Sequence, residues 1–129
     1  MFAKTKNSRQ QGTMGLGAAV AYFTELNYVV SLPLNDSQQY DLIVDDKTRL
    51  FRVHVKTTKQ LSKYNIYSVQ LKTKGGNQSW SGTSKFFDPS EVELLFVLCN
   101  NGDRYCIPTT VITCKSAINL GSKYKEYKV

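Results

Sequence analysis

The sequence lacks the cysteine spacing of a disulfide framework or of a zinc cluster. Its three cysteines, Cys99, Cys106 and Cys114, are scattered and form no CxxC pair, so a reduced, intracellular setting fits. No apolar run approaches the ~20 residues that a membrane helix needs, and the first residues lack the apolar centre of a secretory signal. We therefore expect a cytoplasmic protein with no membrane partner.

Low-complexity tracts, internal repeats and domain linkers are also missing from the chain. Its 129 residues suit one domain, because domains typically hold roughly 100–150 residues. The 41% share of hydrophobic residues is that of a globular chain and excludes a disordered one. We expect a single domain over residues 1–129, with a basic, mobile or DNA-contacting arm at 1–9 and a basic tail at 121–129.

Acidic residues are few compared with basic ones. The 17 Lys and Arg against 10 Asp and Glu give a formal charge of +7, which attracts polyanions and releases their counterions. Nucleic acid is the leading partner on this ground, although a basic chain can also owe its charge to solubility alone. Charge by itself also admits an RNA-binding domain, which nothing else in the sequence supports.

The apolar spacing predicts one helix, from about Gln10 to Leu26, followed by extended segments. Its apolar face contains Leu16, Ala19, Phe23 and Leu26, at spacings of three, four and three residues. Asn27 suits the C-terminal cap. Three glycines near its start allow close packing on a sheet or, as the other option, on a phosphate: Gly12, Gly15 and Gly17. Six segments are β-prone: 28–32, 40–44, 50–58, 64–73, 93–99 and 104–107. These elements predict an α/β domain in which the helix packs on a central mixed sheet.

Segments 40–44 and 50–58 are joined by a short turn at 45–48 and should form a hairpin. An even-length turn centred between residues 46 and 47 places Asp41 opposite Arg52 and Val44 opposite Arg49. Alternation then puts Asp41, His54 and Lys56 on one face, unless an odd loop or a bulge intervenes. Asp41 could alternatively be a structural acid bonded to Arg52.

One carboxylate and one amine on a shared face suit phosphodiester hydrolysis. That reaction needs an activated water and positive charge against the developing negative charge, which divalent metals supply in many nucleases. Mg²⁺ takes only one or two protein carboxylates, so Asp41 with a backbone carbonyl near His54 or Val55 could form a weak site. Lys56 could orient the water or stabilise the charged phosphorane.

The motifs in this region resemble those of PD-(D/E)XK nucleases, and most of all the small group I intron homing endonucleases. They are Gly12-x-x-Gly15, Asn27-Tyr28, Pro33, Tyr40-Asp41-Leu-Ile, Arg52-Val-His54-Val-Lys56-Thr57, Tyr67-Ser-Val-Gln-Leu-Lys72, Asn77 and Tyr105-Cys-Ile-Pro108, which together span about Gly12 to Ile112. The resemblance implies a restriction-endonuclease-like core and a site-specific endonuclease that cuts double-stranded DNA. It also implies Mg²⁺ (or Mn²⁺) as the metal and a homo-oligomer, either a dimer or a tetramer. A Holliday-junction resolvase or a restriction-like enzyme remains an alternative with the same core.

Mapped onto this chain, the resemblance implies a catalytic set of Leu16, Asp41, His54 and Lys56. The metal ligands would be Asp41, His54 and the backbone carbonyl of Val55. Leu16 stands where the family has a helix acid, and His54 stands where it has Glu or Gln. Glu25, the nearest acid on the helix, lies about half a turn out of phase at ~100° per residue and is no substitute. These departures predict either a preference for Mn²⁺ or Zn²⁺ over Mg²⁺, or a silent DNA-binding protein on the same fold.

Basic and loop residues outside this centre are candidates for DNA contact. The Gly- and Ser-rich loop at 74–82 carries the only tryptophan, which could stack on DNA or pin the loop to the domain. In the tail, Lys123, Lys125 and Lys128 are expected to be solvated and to contribute charge only. The full set of predicted DNA-binding residues is Lys4, Lys6, Arg9, Lys59, Lys72, Lys74, Asn77, Trp80 and Lys85.

Overall fold

The structure, a computed structural model, describes residues 1–35, 37–74 and 84–129. Within these ranges the main helix is α1 (Ser8–Glu25), and short 3-10 helices cover Phe2–Lys4, Thr109–Val111 and Ser122–Tyr127. The strands are β1 (Val29–Ser31), β2 (Leu42–Asp45), β3 (Leu50–Thr58), β4 (Ser68–Gln70), β5 (Thr73–Lys74), β6 (Ser84–Lys85), β7 (Leu94–Cys99), β8 (Arg104–Pro108) and β9 (Ala117–Asn119). None of the helices in these ranges has the length and hydropathy needed to cross a bilayer.

Five strands form the central sheet in the order β1-β2-β3-β7-β8. The β3–β7 pair is parallel and the other neighbours are antiparallel, so the sheet is mixed, as predicted. Strand β3 is the middle strand and matches its predicted range of 50–58. The predicted α/β arrangement of a helix on a mixed sheet is therefore confirmed.

Helix α1 is fixed at both ends by asparagine. The Asn7 side chain accepts a hydrogen bond from the Gln10 backbone N–H at 3.0 Å, so the helix begins two residues before the predicted start. Asn27 adopts a left-handed φ of 64°, and its N–H bonds the Thr24 carbonyl while the Tyr28 N–H bonds the Phe23 carbonyl. This Schellman arrangement confirms the predicted cap at Asn27.

Two apolar clusters lie on opposite faces of the sheet. The cluster beneath α1 contains Phe2, Ala19, Phe23, Leu42, Val44, Val53, Phe96 and Leu98. The second cluster lies on the other face, between the central sheet, the small β4–β9 sheet and the C-terminal residues. It contains Val69, Leu71, Leu95, Val97, Cys99, Tyr105, Ile107, Ile112, Ile118, Leu120 and Tyr124. The central-sheet residues of the second cluster come from β7 and β8.

The predicted strand at 64–73 is shorter than expected and lies outside the central sheet. A turn precedes it, with Asn65 at a φ of 59° and backbone hydrogen bonds between Ser62 and both Asn65 and Ile66. Extended structure begins again only at Ser68, and β4 pairs with β9. The β-prone composition of the segment did not reveal this turn.

Both chain ends are packed rather than free. Phe2 is 4% exposed and its N–H bonds the Asn100 side chain at 2.8 Å, so the prediction of an arm before any regular structure is wrong. In the tail, Tyr124 is 3% exposed, Lys128 pairs with Asp103 at 3.1 Å, and the Val129 N–H bonds a β8 carbonyl. Lys123, Lys125 and Lys128 are exposed, as predicted, while the aromatic side chains between them supply apolar surface that packs the tail on the domain.

Gly15 packs directly on β3, as predicted, whereas Gly12 and Gly17 do not. A Cβ at position 15 would lie 2.5 Å from Thr57 Cγ2, and none would meet a neighbour within 4 Å at positions 12 or 17. We expect Gly15→Ala to lower the free energy of unfolding by about 1–3 kcal/mol through overpacking. Gly17→Ala, the matched control, should raise it by about 0.5–1 kcal/mol because alanine is the better helix former. Urea unfolding measures both, and equal effects of the two substitutions would contradict the close approach.

Candidate active site

The β2–β3 hairpin differs from its predicted register by two residues. The Asp46 carboxylate accepts hydrogen bonds from the Thr48 N–H, the Thr48 hydroxyl and the Arg49 N–H, and Lys47 has a φ of 76°. The turn is therefore centred between residues 47 and 48, one position later than predicted. The observed partners are Ile43 with Arg52 and Val44 with Phe51, so the predicted Asp41–Arg52 and Val44–Arg49 pairs are wrong.

A shift of two residues preserves which face each side chain occupies. Within the paired residues, His54 and Lys56 lie on the same face of β3. Asp41 is at a bend just before β2, and its N–H bonds the carbonyl of Val53, which already pairs with Leu42, so Asp41 does not continue the regular alternation.

Asp41 is attached to β3 by its backbone and by its side chain. Its N–H donates to the Val53 carbonyl at 2.8 Å, and its Oδ2 accepts from the Val55 N–H at 2.7 Å. The side chain is otherwise exposed to solvent. A carboxylate held in this way has a defined direction and one oxygen left for another ligand.

Arg52 pairs with Glu93 and not with Asp41. The Arg52 guanidinium reaches the Glu93 carboxylate at 2.7 and 2.8 Å and also donates to the Ser90 carbonyl at 3.0 Å. Burial raises the pKa of Glu93, but the hydrogen bonds and charge of Arg52 outweigh this and lower it. The alternative interpretation of Asp41 as an acid bonded to Arg52 is wrong.

His54 is partly buried, and one hydrogen bond fixes its tautomer. Its Nδ1 lies 2.6 Å from the Gln39 carbonyl oxygen, which can only accept, so Nδ1 carries the proton and neutral Nε2 carries the lone pair. Burial and then the charge of Lys56 lower the pKa of His54, against smaller opposing effects of Asp41 and the Gln39 carbonyl. The imidazole is therefore neutral at pH 7.

Lys56 lies two residues further along the same strand and is also partly buried. Burial lowers the pKa of Lys56 because the ammonium loses hydration, and the Asp41 carboxylate opposes this shift. Asp41 acts electrostatically on both His54 and Lys56. The structure thus brings together the three polar residues that the sequence singled out.

Leu16 contributes no polar group to this centre. It is partly buried and packs on the apolar cluster beneath α1, which Val55 also contacts with its side chain. No group of three His, Cys, Asp or Glu residues that could hold a metal occurs in the described ranges. Any metal here would take its remaining ligands from carbonyl groups, water or substrate.

Sequence reasoning missed Gln39, which acts through its backbone carbonyl and therefore carries no side-chain signal. Gln39 and His54 also line a small cleft together with Leu71, Phe86, Phe87, Asp88, Glu91 and Val92. The buried Cys99 thiol and the half-buried Cys106 thiol are poorly reactive, since burial raises the pKa of Cys99 to about 12 and of Cys106 to about 11.

The predicted DNA-binding residues fall into three groups. Lys4, Lys6, Arg9 and Lys59 are exposed, and Lys6 and Lys59 line one groove of about 480 Å³. Lys72 is exposed, with its ammonium 4.8 Å from the centre of the Phe86 ring. Asn77 and Trp80, together with the side chains of Lys74 and Lys85, lie outside the part of the chain that the structure describes.

Comparisons with known proteins identify the fold and the family. The structure of a bacterial homing endonuclease, I-Ssp6803I, matches with a TM-score of 0.80 over 95% of this chain and 88% of that chain, at 20% sequence identity. This similarity shows a shared α/β fold of the restriction-endonuclease-like kind. No curated protein matches the chain in sequence. A family profile described as PD-(D/E)XK endonuclease matches residues 6–128, and the chain therefore belongs to the PD-(D/E)XK endonuclease family.

Proposed function

We propose that the protein is a metal-dependent endonuclease that hydrolyses phosphodiester bonds of double-stranded DNA and acts in site-specific homing. The observation that carries this proposal is the proximity of Asp41 to His54 and Lys56, with Asp41 bonded to the β3 backbone at both residues that flank His54. Membership of the nuclease family supports the reaction class, and the net charge of +7 supports a nucleic-acid substrate.

The polar groups at this centre fit a divalent cation, which nucleases of this family generally use. Asp41 offers Oδ1 while its Oδ2 is held by Val55, and His54 offers the lone pair of Nε2. These two side chains, with the Val55 carbonyl as a third candidate, would hold the ion. When bound, the ion would supply an acidified water and positive charge against the phosphate.

Lys56 would supply the second positive charge of the centre. An ammonium in a partly buried position interacts with phosphate more strongly than an exposed one, because water screens it less. Its lowered pKa also makes Lys56 a better proton donor than an exposed lysine. We assign it to the phosphate oxygens or the attacking water.

The groove beside the helix start would carry DNA backbone past this centre. Lys6 and Lys59 line it together with Gln11, and the Gln11 amide donates to the Thr57 hydroxyl at 2.8 Å. Thr57 follows Lys56 on β3, so the groove begins next to the catalytic strand. Lysines in such a position contribute affinity without reading sequence.

We also propose that the protein acts as a homo-oligomer that assembles through β1. This strand ends the central sheet, so its outer backbone groups can pair with another strand. Exposed apolar side chains surround it, namely Val29, Leu32, Leu34 and Leu50. Residues 28–35, which contain β1 and the segment after it, include no Lys or Arg, so this edge offers no positive charge to attract DNA. In a dimer with two-fold symmetry, β1 of one copy would pair with β1 of the other, and the two active sites could act on one DNA duplex.

Placing charges on this edge should separate the copies. We expect the wild type to show at least twice the monomer mass of 14.6 kDa in light scattering, and Val29→Lys with Leu32→Lys to show the monomer mass. Leu61→Lys, at an exposed leucine outside the central sheet, is the matched control and should leave the mass unchanged. A monomeric wild type, or a double variant of unchanged mass, would contradict the β1 assembly.

A catalytically silent DNA-binding protein is the second candidate, and the position of Leu16 favours it. Leu16 is packed against apolar neighbours and supplies no carboxylate to the centre. The two candidates separate when linear and branched duplex DNA are incubated with protein and either Mg²⁺ or Mn²⁺. The proposed enzyme cuts linear duplex, a resolvase cuts only branched DNA, and a silent protein binds in a salt-dependent way without cutting either.

A further inference from the structure

The imidazole at the centre is oriented as a metal ligand would be. Metal-bound histidines nearly always donate their second ring nitrogen to a carboxylate, a backbone carbonyl or water, which fixes the ring and leaves the other nitrogen for the ion. His54 makes this bond from Nδ1 to the Gln39 carbonyl, at 2.6 Å. Its Nε2 has no hydrogen-bond partner among the described residues.

Asp41, the residue before β2, supplies the second candidate metal ligand through its Oδ1. The Val55 N–H holds Oδ2, so the carboxylate cannot rotate freely, and Oδ1 has no partner within the described part of the chain. The Asp41 backbone N–H bonds the Val53 carbonyl, so Asp41 is attached to β3 at both residues that flank His54. The two donors are thus oriented before any ion arrives, which lowers the cost of binding.

A mixed nitrogen and oxygen donor set selects among metals. Mg²⁺ prefers oxygen ligands in near-octahedral geometry and gives up its water reluctantly. Imidazole suits transition metals, whose affinity for nitrogen sites rises from Mn²⁺ through Co²⁺ to Ni²⁺ and Cu²⁺. The family pattern that the sequence resembles has a helix acid at position 16, whereas Leu16 packs on the apolar cluster beneath α1 and offers no oxygen ligand for Mg²⁺.

We propose that Asp41 Oδ1 and His54 Nε2 bind a divalent transition metal, of the Mn²⁺ or Co²⁺ kind, in preference to Mg²⁺. This inference deepens the proposed function and rests on it in taking the same site as the metal centre. The structural feature that carries it is the Gln39 carbonyl, which fixes the ring nitrogen available to the ion.

The chain allows an unambiguous test because His54 is its only histidine. Untagged protein is titrated with Mn²⁺, Co²⁺ and Mg²⁺ by calorimetry, and the Mn²⁺ complex is examined by pulsed EPR for coupling to an imidazole ¹⁴N. A Cys114→Ser background removes the exposed thiol as a competing ligand. We expect the imidazole coupling in the wild type and its loss in His54→Ala. We also expect Mn²⁺ and Co²⁺ to bind at least ~10-fold more tightly than Mg²⁺.

An absent ¹⁴N coupling, or equal affinity for Mn²⁺ and Mg²⁺, overturns the inference. Should His54→Ala fail to fold, ¹⁵N-histidine NMR of the wild type with Co²⁺ replaces it: a paramagnetic effect that is strongest at Nε2 supports the site, and no effect overturns it. These measurements contain no DNA, so they are independent of cutting. Nitrogen-ligated metal in a protein that never cuts DNA would support this inference while contradicting the proposed nuclease function.

Discussion

Replacing Lys56 with methionine is expected to reduce DNA cutting by about 10²–10³-fold, the typical loss when one group that stabilises transition-state charge is removed. DNA binding should change little, because a single partly buried amine contributes little to the overall attraction of a chain with a net charge of +7. Methionine is apolar, and Lys56 neighbours the buried Val97 on β7, so the fold should tolerate the change. Single-turnover cleavage of labelled duplex measures the effect.

Lys59→Met is the matched control, since Lys59 is exposed and lies just beyond the end of β3. It should weaken binding and its salt dependence without changing the cleavage rate at saturating protein. Cutting by Lys56→Met at the wild-type rate would exclude Lys56 from the chemistry.

Lys56→Met and a second variant, Asp41→Asn, test the electrostatic contacts without any cleavage. The His54 signal is the only histidine resonance of the chain, so its NMR titration is directly assignable. Burial keeps the pKa of His54 low in every variant, but removing Lys56 should raise that pKa and removing the Asp41 charge should lower it further. An unchanged His54 titration in both variants would show that the three groups do not face one another.

Placing an acid at position 16 and an amide at position 54, as in the family pattern, is expected to increase DNA cleavage with Mg²⁺. In the family pattern that this chain resembles, Leu16 aligns with a helix acid and His54 with Glu or Gln. Leu16→Glu with His54→Gln would add a carboxylate and remove the imidazole, so the donor set becomes all oxygen, as Mg²⁺ prefers. We expect the Mg²⁺-supported cleavage rate to rise at least ~10-fold, at a cost of about 1–3 kcal/mol in stability for the lost packing of Leu16.

The control for this gain is Leu16→Gln with His54→Gln, which has nearly the same size and lacks the added charge. It should lose the same packing without gaining Mg²⁺-supported cutting. Equal rates in the two double variants would mean that position 16 does not reach the metal. Any difference in cleavage rate between the double variants and the wild type would then have a cause other than an added carboxylate.

The sequence predicted those elements whose signals are local. Strand β3 alternates apolar and polar residues over 50–58, and Asn27 marked the helix end through its tolerance of the left-handed conformation. The shared face of His54 and Lys56 depends only on alternation within β3, so an error of two residues in the hairpin register did not affect it. Alternation within one strand was therefore a more dependable prediction than pairing between strands.

The parts that the sequence did not predict depend on contacts distant along the chain. Arg52 pairs with Glu93, 41 residues away, and Phe2 bonds Asn100, 98 residues away. The Gln39 carbonyl that orients His54 has no residue-specific signature at all. Turn chemistry at Asp46 moved the hairpin centre by one position, because three donors converge on its carboxylate.

The most direct test is nicking of supercoiled plasmid by the wild type and by Asp41→Asn, with Mn²⁺ and with Mg²⁺. The asparagine oxygen can still accept from the Val55 N–H, so the hairpin keeps its hydrogen bond and only the charge is lost. We predict nicking by the wild type and a loss of at least ~10²-fold in the variant. Equal behaviour of the two proteins, whether both cut or neither does, would contradict a metal-dependent nuclease centred on Asp41.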